Sequence, residues 1–140
     1  MLMNRQTNRI GTWLVATLAM AWSMGACSEF IEEPLTDERV VLLSPGAGAA
    51  AKSDTLSFFW DPVDHALQYR LQVAAPAFGD AALFYADTTL EKENYRLFLP
   101  PGNYQWRVKA LNGSSGTRYT TRSFTVFDAD AGNQTETVVP

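Results

Sequence analysis

The fold of this chain is decided by one stretch, Leu99-Pro100-Pro101-Gly102-Asn103-Tyr104-Gln105-Trp106-Arg107-Val108-Lys109-Ala110. A Pro-Pro-Gly turn leads into a segment in which apolar and polar side chains alternate. Because successive side chains of a strand point to opposite faces of its sheet, this pattern predicts one buried face and one solvated face. The predicted inward set is Tyr104, Trp106, Val108 and Ala110, and the outward set is Asn103, Gln105, Arg107 and Lys109.

Short segments of the same kind, separated by turn residues, occur on both sides of this strand. They predict strands over residues 39–44, 54–60, 67–73, 83–88, 95–99, 103–111 and 119–127. In the third of these, Leu67, Tyr69, Leu71 and Val73 are expected to point inward. Residues 46–53 are small and are interpreted as a loop. Seven short strands without helical periodicity predict an all-β antiparallel sandwich.

The composition is that of a folded, acidic protein. Of its 140 residues, 46% are hydrophobic, which is enough to form a core. The formal net charge is -4, and because residues 1–26 contain Arg5 and Arg9 but no acid, residues 27–140 carry a net charge of -6. An acidic body speaks against nucleic acid as a partner, since phosphate binding requires a cationic surface.

The N-terminus has the layout of a secretory signal peptide. Arg5 and Arg9 form a basic region, and a mostly apolar run extends from Ile10 to Met24. This run is shorter than the ~20 residues with which a helix spans a bilayer. Cleavage is therefore favoured over the alternative, a single N-terminal membrane anchor.

The single cysteine, Cys27, follows Met24-Gly25-Ala26, and this arrangement resembles the lipobox of bacterial lipoprotein signal peptides. The resemblance implies that the thiol receives a diacylglyceryl group, that the peptide is cut before Cys27, and that the new amine is acylated. Met24 departs from the pattern, in which Leu is commonest. Because stable anchoring needs more than one acyl chain, a triacylated Cys27 would hold the protein on a membrane. The alternative is a free thiol in an exported protein.

The residues after Cys27 predict the location and the organisation of the chain. Ser28 resembles a signal for the bacterial outer membrane, and the acids beyond it resemble signals for export to the cell surface. The acid-rich composition of this segment also favours a solvated tether. The predicted parts are a helical signal peptide over 1–26, an acidic tether over 27–38, a β-sandwich over 39–127 and a disordered tail over 128–140.

Several landmarks of the predicted sandwich resemble the fibronectin type III domain. Trp60 closes one strand, Tyr69 lies in the next, and Tyr104 follows the Leu-Pro-Pro-Gly turn. The resemblance implies that Trp60 and Tyr104 are core residues and that the Tyr104 hydroxyl bonds to the backbone as a tyrosine corner. The turn is shorter than the family's usual form, and Trp106 replaces a smaller residue. The resemblance covers roughly residues 38–127 and implies a fold rather than a ligand.

Residues that carry catalysis are not grouped in this sequence, so neither an enzyme nor a cofactor is predicted. The single histidine, His65, lies in a turn where only Asp61 and Asp64 are near enough in sequence to assist it. Ser114 and Ser115 have no local base. The expected function is that of a protein-interaction or accessory module, with a partner in the cell envelope.

Two surface features are candidates for that interaction. The first is a cationic stripe on the outward sheet face, made by Arg70, Arg107 and Lys109 and joined by Arg118. Arg122 is assigned to neither face. Alternation places it on the inward side together with Phe124, but a bulge in the strand would move it to the outward side. Such a stripe suits an acidic glycan or the carboxylates of a partner, but it also fits an ordinary solvated face.

The second feature is a set of aromatic residues whose parity does not suit the core: Phe59, Phe78, Phe84, Tyr85 and Phe98. The favoured interpretation is that they fill the ends of the sandwich. Exposed aromatic rings also stack on sugars or fill protein pockets. Phe78, Phe84 and Tyr85 therefore raise the alternative of a carbohydrate-binding surface lipoprotein.

Overall fold

The computed structural model describes residues 31–52 and 54–128, and in these ranges it contains eight strands and no helix. The strands are β1 (Leu42–Ser44), β2 (Ala49–Lys52), β3 (Thr55–Trp60), β4 (Gln68–Ala75), β5 (Leu83–Leu90), β6 (Asn94–Phe98), β7 (Gly102–Leu111) and β8 (Thr120–Phe127). They form a three-stranded sheet in the order β1-β3-β6 and a five-stranded sheet in the order β2-β8-β7-β4-β5. The predicted all-β architecture is confirmed.

The prediction of seven antiparallel strands is wrong in one place. Residues 46–53, expected to be a loop, contain β2, which pairs in parallel with β8. The chain runs from β1 in one sheet through Pro45 to β2 in the other, and the N–H of Gly48 donates to the carbonyl of Ser123 over 2.8 Å. Alanine has a low strand propensity, but the free edge of β8 supplies partners for the backbone, and this context decides the structure.

Strand β7 has the alternation that its sequence predicts. Tyr104, Trp106, Val108 and Ala110 are each at most 2% exposed. Phe58 of the other sheet packs its ring 5.2 Å from that of Trp106, with the two planes at 70°. The indole Nε1 of Trp106 donates to the carbonyl of Pro45 over 3.2 Å, which satisfies its polar atom inside the core.

Strand β4 follows the prediction only in part. Tyr69, Leu71 and Val73 are buried, but Leu67 precedes the strand and is 63% exposed. The outward residue Gln72 is also buried, at 6% exposure, and its Oε1 accepts a hydrogen bond from Arg107 of the neighbouring strand. The third predicted strand is thus buried on part of its outer face as well.

The expected tyrosine corner is present. The Tyr104 hydroxyl donates to the carbonyl of Pro100 over 2.7 Å, four residues upstream. Trp60 is 2% exposed, and its ring lies 5.8 Å from that of Tyr69. The hydroxyl of Tyr69 in turn accepts a hydrogen bond from the N–H of Val63 over 3.0 Å, which fixes the turn between β3 and β4.

Residues 32–35, expected to belong to a free tether, instead pack on the sandwich, and we name them the strap. Leu35 is 1% exposed within the core, and its N–H donates to Ser115 Oγ over 2.9 Å. The Glu33 carbonyl accepts from Asn112 Nδ2 over 2.9 Å, and Glu32 Oε1 accepts from the N–H of Gly113 over 2.8 Å. One buried apolar side chain and three hydrogen bonds hold this acidic segment against the β7–β8 loop.

The predicted signal peptide over 1–26, Cys27 and nearly all of the predicted tail over 128–140 lie outside the described residues. A search of residues 31–52 and 54–128 for a helix with the length and hydropathy of a membrane span finds none.

Replacing Tyr104 with Phe is expected to lower the free energy of unfolding by about 1–3 kcal/mol, because the Pro100 carbonyl loses its donor at the corner. Urea denaturation of both proteins measures this difference. Tyr95→Phe, at a half-buried tyrosine of the other sheet, is the matched control and should cost less. Equal costs for the two variants would contradict a structural role for the corner.

Alkaline pH is expected to destabilise the fold. Burial, assisted by the adjacent Tyr85 hydroxyl, raises the pKa of Tyr104 from 10.0 to about 12. The unfolded chain therefore ionises first, so the stabilisation is complete below pH 10 and is lost as the pH rises towards 12. Unfolding free energies measured across this window should fall less steeply for Tyr104→Phe than for the wild type. Parallel slopes would show that Tyr104 does not titrate differently in the two states.

Candidate interaction surface

The outward faces of β4 and β7 lie side by side, as the predicted cationic stripe requires. Arg70 is the register partner of Lys109, and Gln72 is the register partner of Arg107. Charged and aromatic side chains from the adjacent strand and loops join these residues. We call the resulting set the outer-sheet surface, and it comprises Arg70, Gln72, Phe78, Phe84, Asp87, Arg107, Lys109 and Tyr119.

Arg70 is paired within the domain rather than left for a partner. Its Nε lies 2.9 Å from Asp87 Oδ1, and its Nη2 lies 3.0 Å from Asp87 Oδ2. This fork geometry matches the planar guanidinium to the carboxylate. The hydrogen bonds from Arg70 hold the pKa of the Asp87 carboxyl below its usual value and raise the pKa of Arg70. Among the residues that the structure describes, Arg107 and Lys109 are then the cations of the stripe without a carboxylate within ion-pair distance.

Arg107 is the centre of the surface. Its Nε donates to Gln72 Oε1 over 2.8 Å, which orients the guanidinium. The Cζ atom lies 4.0 Å from the ring centre of Phe78 and 4.3 Å from that of Tyr119. Lys109 adds a second cation, with Nζ 5.0 Å from the Tyr119 ring centre. These distances are those of cation–π contacts, which hold the charges in place while leaving them at the surface.

The loop between β4 and β5, together with the start of β5, adds an aromatic pair. The N–H of Phe78 donates to Gln105 Oε1 over 3.0 Å, so β7 fixes the loop. The ring centres of Phe78 and Phe84 are 5.9 Å apart, and Phe84 is 47% exposed. Tyr85 is separated from them, because its ring packs 5.2 Å from that of Tyr104.

The remaining candidates lie elsewhere. Arg118 does not extend the stripe but lines a polar hollow with residues 36–39, beside the strap. Arg122 is half-buried and opposite Trp106 in the register, on the inward side shared with Phe124. Phe59 and Phe98, expected at the ends of the sandwich, are 45% and 61% exposed on the three-stranded sheet.

Sequence reasoning missed Tyr119, whose ring contacts both Arg107 and Lys109. It precedes β8, and Thr121 of that strand pairs with Arg107 in the register. Residues two apart in a strand share a face, so Tyr119 lies on the same face as Thr121. This spacing could have indicated that Tyr119 belongs to the outward face.

No catalytic arrangement stands out among the described residues. His65 adopts a φ of 62° in the β3–β4 turn, and its Nε2 lies 4.0 Å from Glu33 Oε2. In the described ranges, no three His, Cys, Asp or Glu residues are placed to hold a metal ion. A hollow of about 480 Å³ at the strap end of the five-stranded sheet is lined by Leu67, Gln68, Glu91, Leu111, Asn112 and Gly113.

Comparison with known proteins identifies fibronectin type III domains as structural neighbours. A domain from the human KIAA0970 protein has 17% identity and a TM-score of 0.48, covering 64% of this chain and 74% of that one. The fibronectin(III)-like modules of Clostridium thermocellum CbhA have 15% identity and a TM-score of 0.43, covering 64% and 95%. The domain of human fibronectin type III domain containing protein 3 has 18% identity and a TM-score of 0.42, covering 71% and 94%.

Neither a protein-family model nor a curated protein matches this sequence. The two-sheet fold described above therefore stands on the strand pairings and the tyrosine corner of this chain.

The pairing of Arg70 with Asp87 is testable by titration. Because the guanidinium stabilises the charged carboxylate, NMR should place the Asp87 midpoint below the ordinary aspartate value, and Arg70→Gln should raise it. Any stabilisation from the pair is present above pH 3.8 and is lost as the pH falls through the lowered pKa. Arg96→Gln, on the other sheet, is the control and should leave the midpoint unchanged. An unmoved midpoint in Arg70→Gln would exclude the pair in solution.

Proposed function

We propose that this chain is a non-catalytic, lipid-anchored outer-membrane or cell-surface lipoprotein that acts as a protein-interaction or accessory module. Its anchor is Cys27, which carries the acyl chains, and its interaction site is the outer-sheet surface. The single observation that carries the proposed interaction is the Arg107 guanidinium, held by Gln72 and stacked on two aromatic rings.

The lipid anchor is supported by the sequence before the domain. A basic region, an apolar run and small residues at Gly25 and Ala26 precede the single cysteine. Growth with an alkyne-tagged fatty acid should label the wild-type protein, and Cys27→Ser should lose the label and leave the membrane fraction. Labelling that persists in Cys27→Ser would refute the anchor.

A protein partner is supported by the chemistry of the outer-sheet surface. Arginine and aromatic side chains are enriched where binding energy concentrates in protein interfaces. A guanidinium carries five N–H donors, and the hydrogen bond to Gln72 uses the one on Nε of Arg107, so the donors on Nη1 and Nη2 are the ones we assign to a partner. A fixed guanidinium loses little rotamer freedom on binding, so it suits a carboxylate of the partner.

The alternative, a carbohydrate-binding lipoprotein, relies on open aromatic faces. Arg107 stacks on Phe78 and on Tyr119, and Tyr85 packs against Tyr104. Phe84, at 47% exposure, is then the ring best placed to meet a sugar. The sequence predicted three such rings, Phe78, Phe84 and Tyr85, and a single open ring makes a smaller stacking platform. This geometry therefore favours the protein partner.

The test is purification of the tagged, lipidated protein from its native membranes in mild detergent, followed by mass spectrometry. A cell-envelope protein should copurify at a fixed ratio with the wild type and should be lost from Arg107→Gln and Phe84→Ala. The matched controls are Arg96→Gln and Phe98→Ala, which make the same changes on the exposed face of the other sheet.

If the partner is also lost from Arg96→Gln and Phe98→Ala, the outer-sheet surface is not the interaction site. Recovery of the lipoprotein without a reproducible partner would refute the interaction module. In that case, retention on envelope polysaccharide that disappears in Phe78→Ala, Phe84→Ala and Tyr85→Ala would establish the carbohydrate alternative.

A further inference from the structure

The strap fixes where the chain enters the sandwich. Its three hydrogen bonds go to Asn112, Gly113 and Ser115, in the loop that follows β7. Leu35 is buried beside this loop as part of the core. The entry point is therefore held at the end of the sandwich where β7 finishes, and it does not swing freely along the domain.

The opposite end carries the aromatic pair and the exit of the chain. Strand β4 runs antiparallel to β7, so the β4–β5 loop with Phe78 lies towards the start of β7. Val126, near the end of β8, pairs with Gly102, the first residue of β7. Because β7 has ten residues, the two ends are separated by about 30 Å.

The distance from the proposed anchor to the strap is short. Only residues 28–31 separate Cys27 from Glu32. Even fully extended, this connection places the two Cα atoms at most about 18 Å apart. The reach of the connection is smaller than the length of the sandwich, so the lipid anchor cannot approach the β4–β5 loop while the strap stays bound.

We infer that the end of the sandwich formed by the strap and the β7–β8 loop faces the lipid bilayer. The opposite end, with Phe78 in the β4–β5 loop and Phe84 at the start of β5, faces away from it. This inference rests on the proposed lipidation of Cys27. It assigns the strap a role beyond the tether expected from its sequence, because it sets which end of the domain a partner in the envelope meets first. The strap end of the sandwich meets the bilayer, and the end with the β4–β5 loop is exposed to partners in the envelope.

The experiment uses the full lipidated protein in vesicles of phosphatidylethanolamine and phosphatidylglycerol that carry an acceptor dye on the headgroups. Donor dyes are attached to Ser114→Cys, in the β7–β8 loop, or to Asp80→Cys, in the β4–β5 loop, both of which are exposed positions. A lipidated Cys27 leaves no other thiol to label, because the chain has a single cysteine. We expect large loss of donor emission at position 114 and little loss at position 80.

A second variant tests the strap itself. A flexible Gly-Ser insert of about 20 residues between Ile31 and Glu32 should bring the two labels towards equal energy transfer, because such a chain reaches about 25 Å. The insert leaves every residue of the domain in place, so the fold is unaffected.

The outcomes separate the inference from the proposed function. If the unlabelled wild type reacts with a maleimide and does not bind the vesicles, the lipid anchor is wrong. If it binds and both labels transfer equally without the insert, or if position 80 transfers more, the anchor stands and the assigned orientation is overturned.

Discussion

Strand β7 is hydrogen-bonded along both edges, to β4 on one side and to β8 on the other, and this constraint orders the domain. A shift of one residue would expose Trp106 and Val108 and would bury Arg107. Burying that charge without a partner costs several kcal/mol, and exposing the two apolar side chains forfeits several more. The single register that avoids both costs builds the core on one side of β7 and the cationic row on the other.

Much of the fold could be predicted because its information is local. Alternation located seven strands, and the Pro-Pro-Gly turn before Tyr104 indicated the corner. The missed features depend on distant partners. Strand β2 consists of small residues that pair because β8 is beside them. The strap is held by Ser115, which is 80 residues from Leu35, and no local pattern within an acidic segment indicates such a contact.

The candidate surface was predicted in its strand residues and not in its loop residues. Arg70, Arg107 and Lys109 became neighbours once the strand order was assumed. That Asp87 neutralises Arg70 depends on a register which the sequence does not specify. The position of Phe78 depends on one hydrogen bond from its backbone to Gln105. Strand parity therefore predicted on which face the charged side chains lie. Which of them form an ion pair depends on side-chain contacts that parity does not specify.

The parallel pair of β2 and β8 has a mechanical consequence. The chain enters at the strap end and leaves from β8 at the opposite end, so tension between the two would pull β2 and β8 in opposing directions along their length. The bonds between parallel strands are evenly spaced along the pair, so the four register pairs from Ala49 to Lys52 would share the load. Such a shear geometry resists rupture better than a hairpin that opens one bond at a time. Under such a load, the alanine-rich segment would hold the two ends of the chain together.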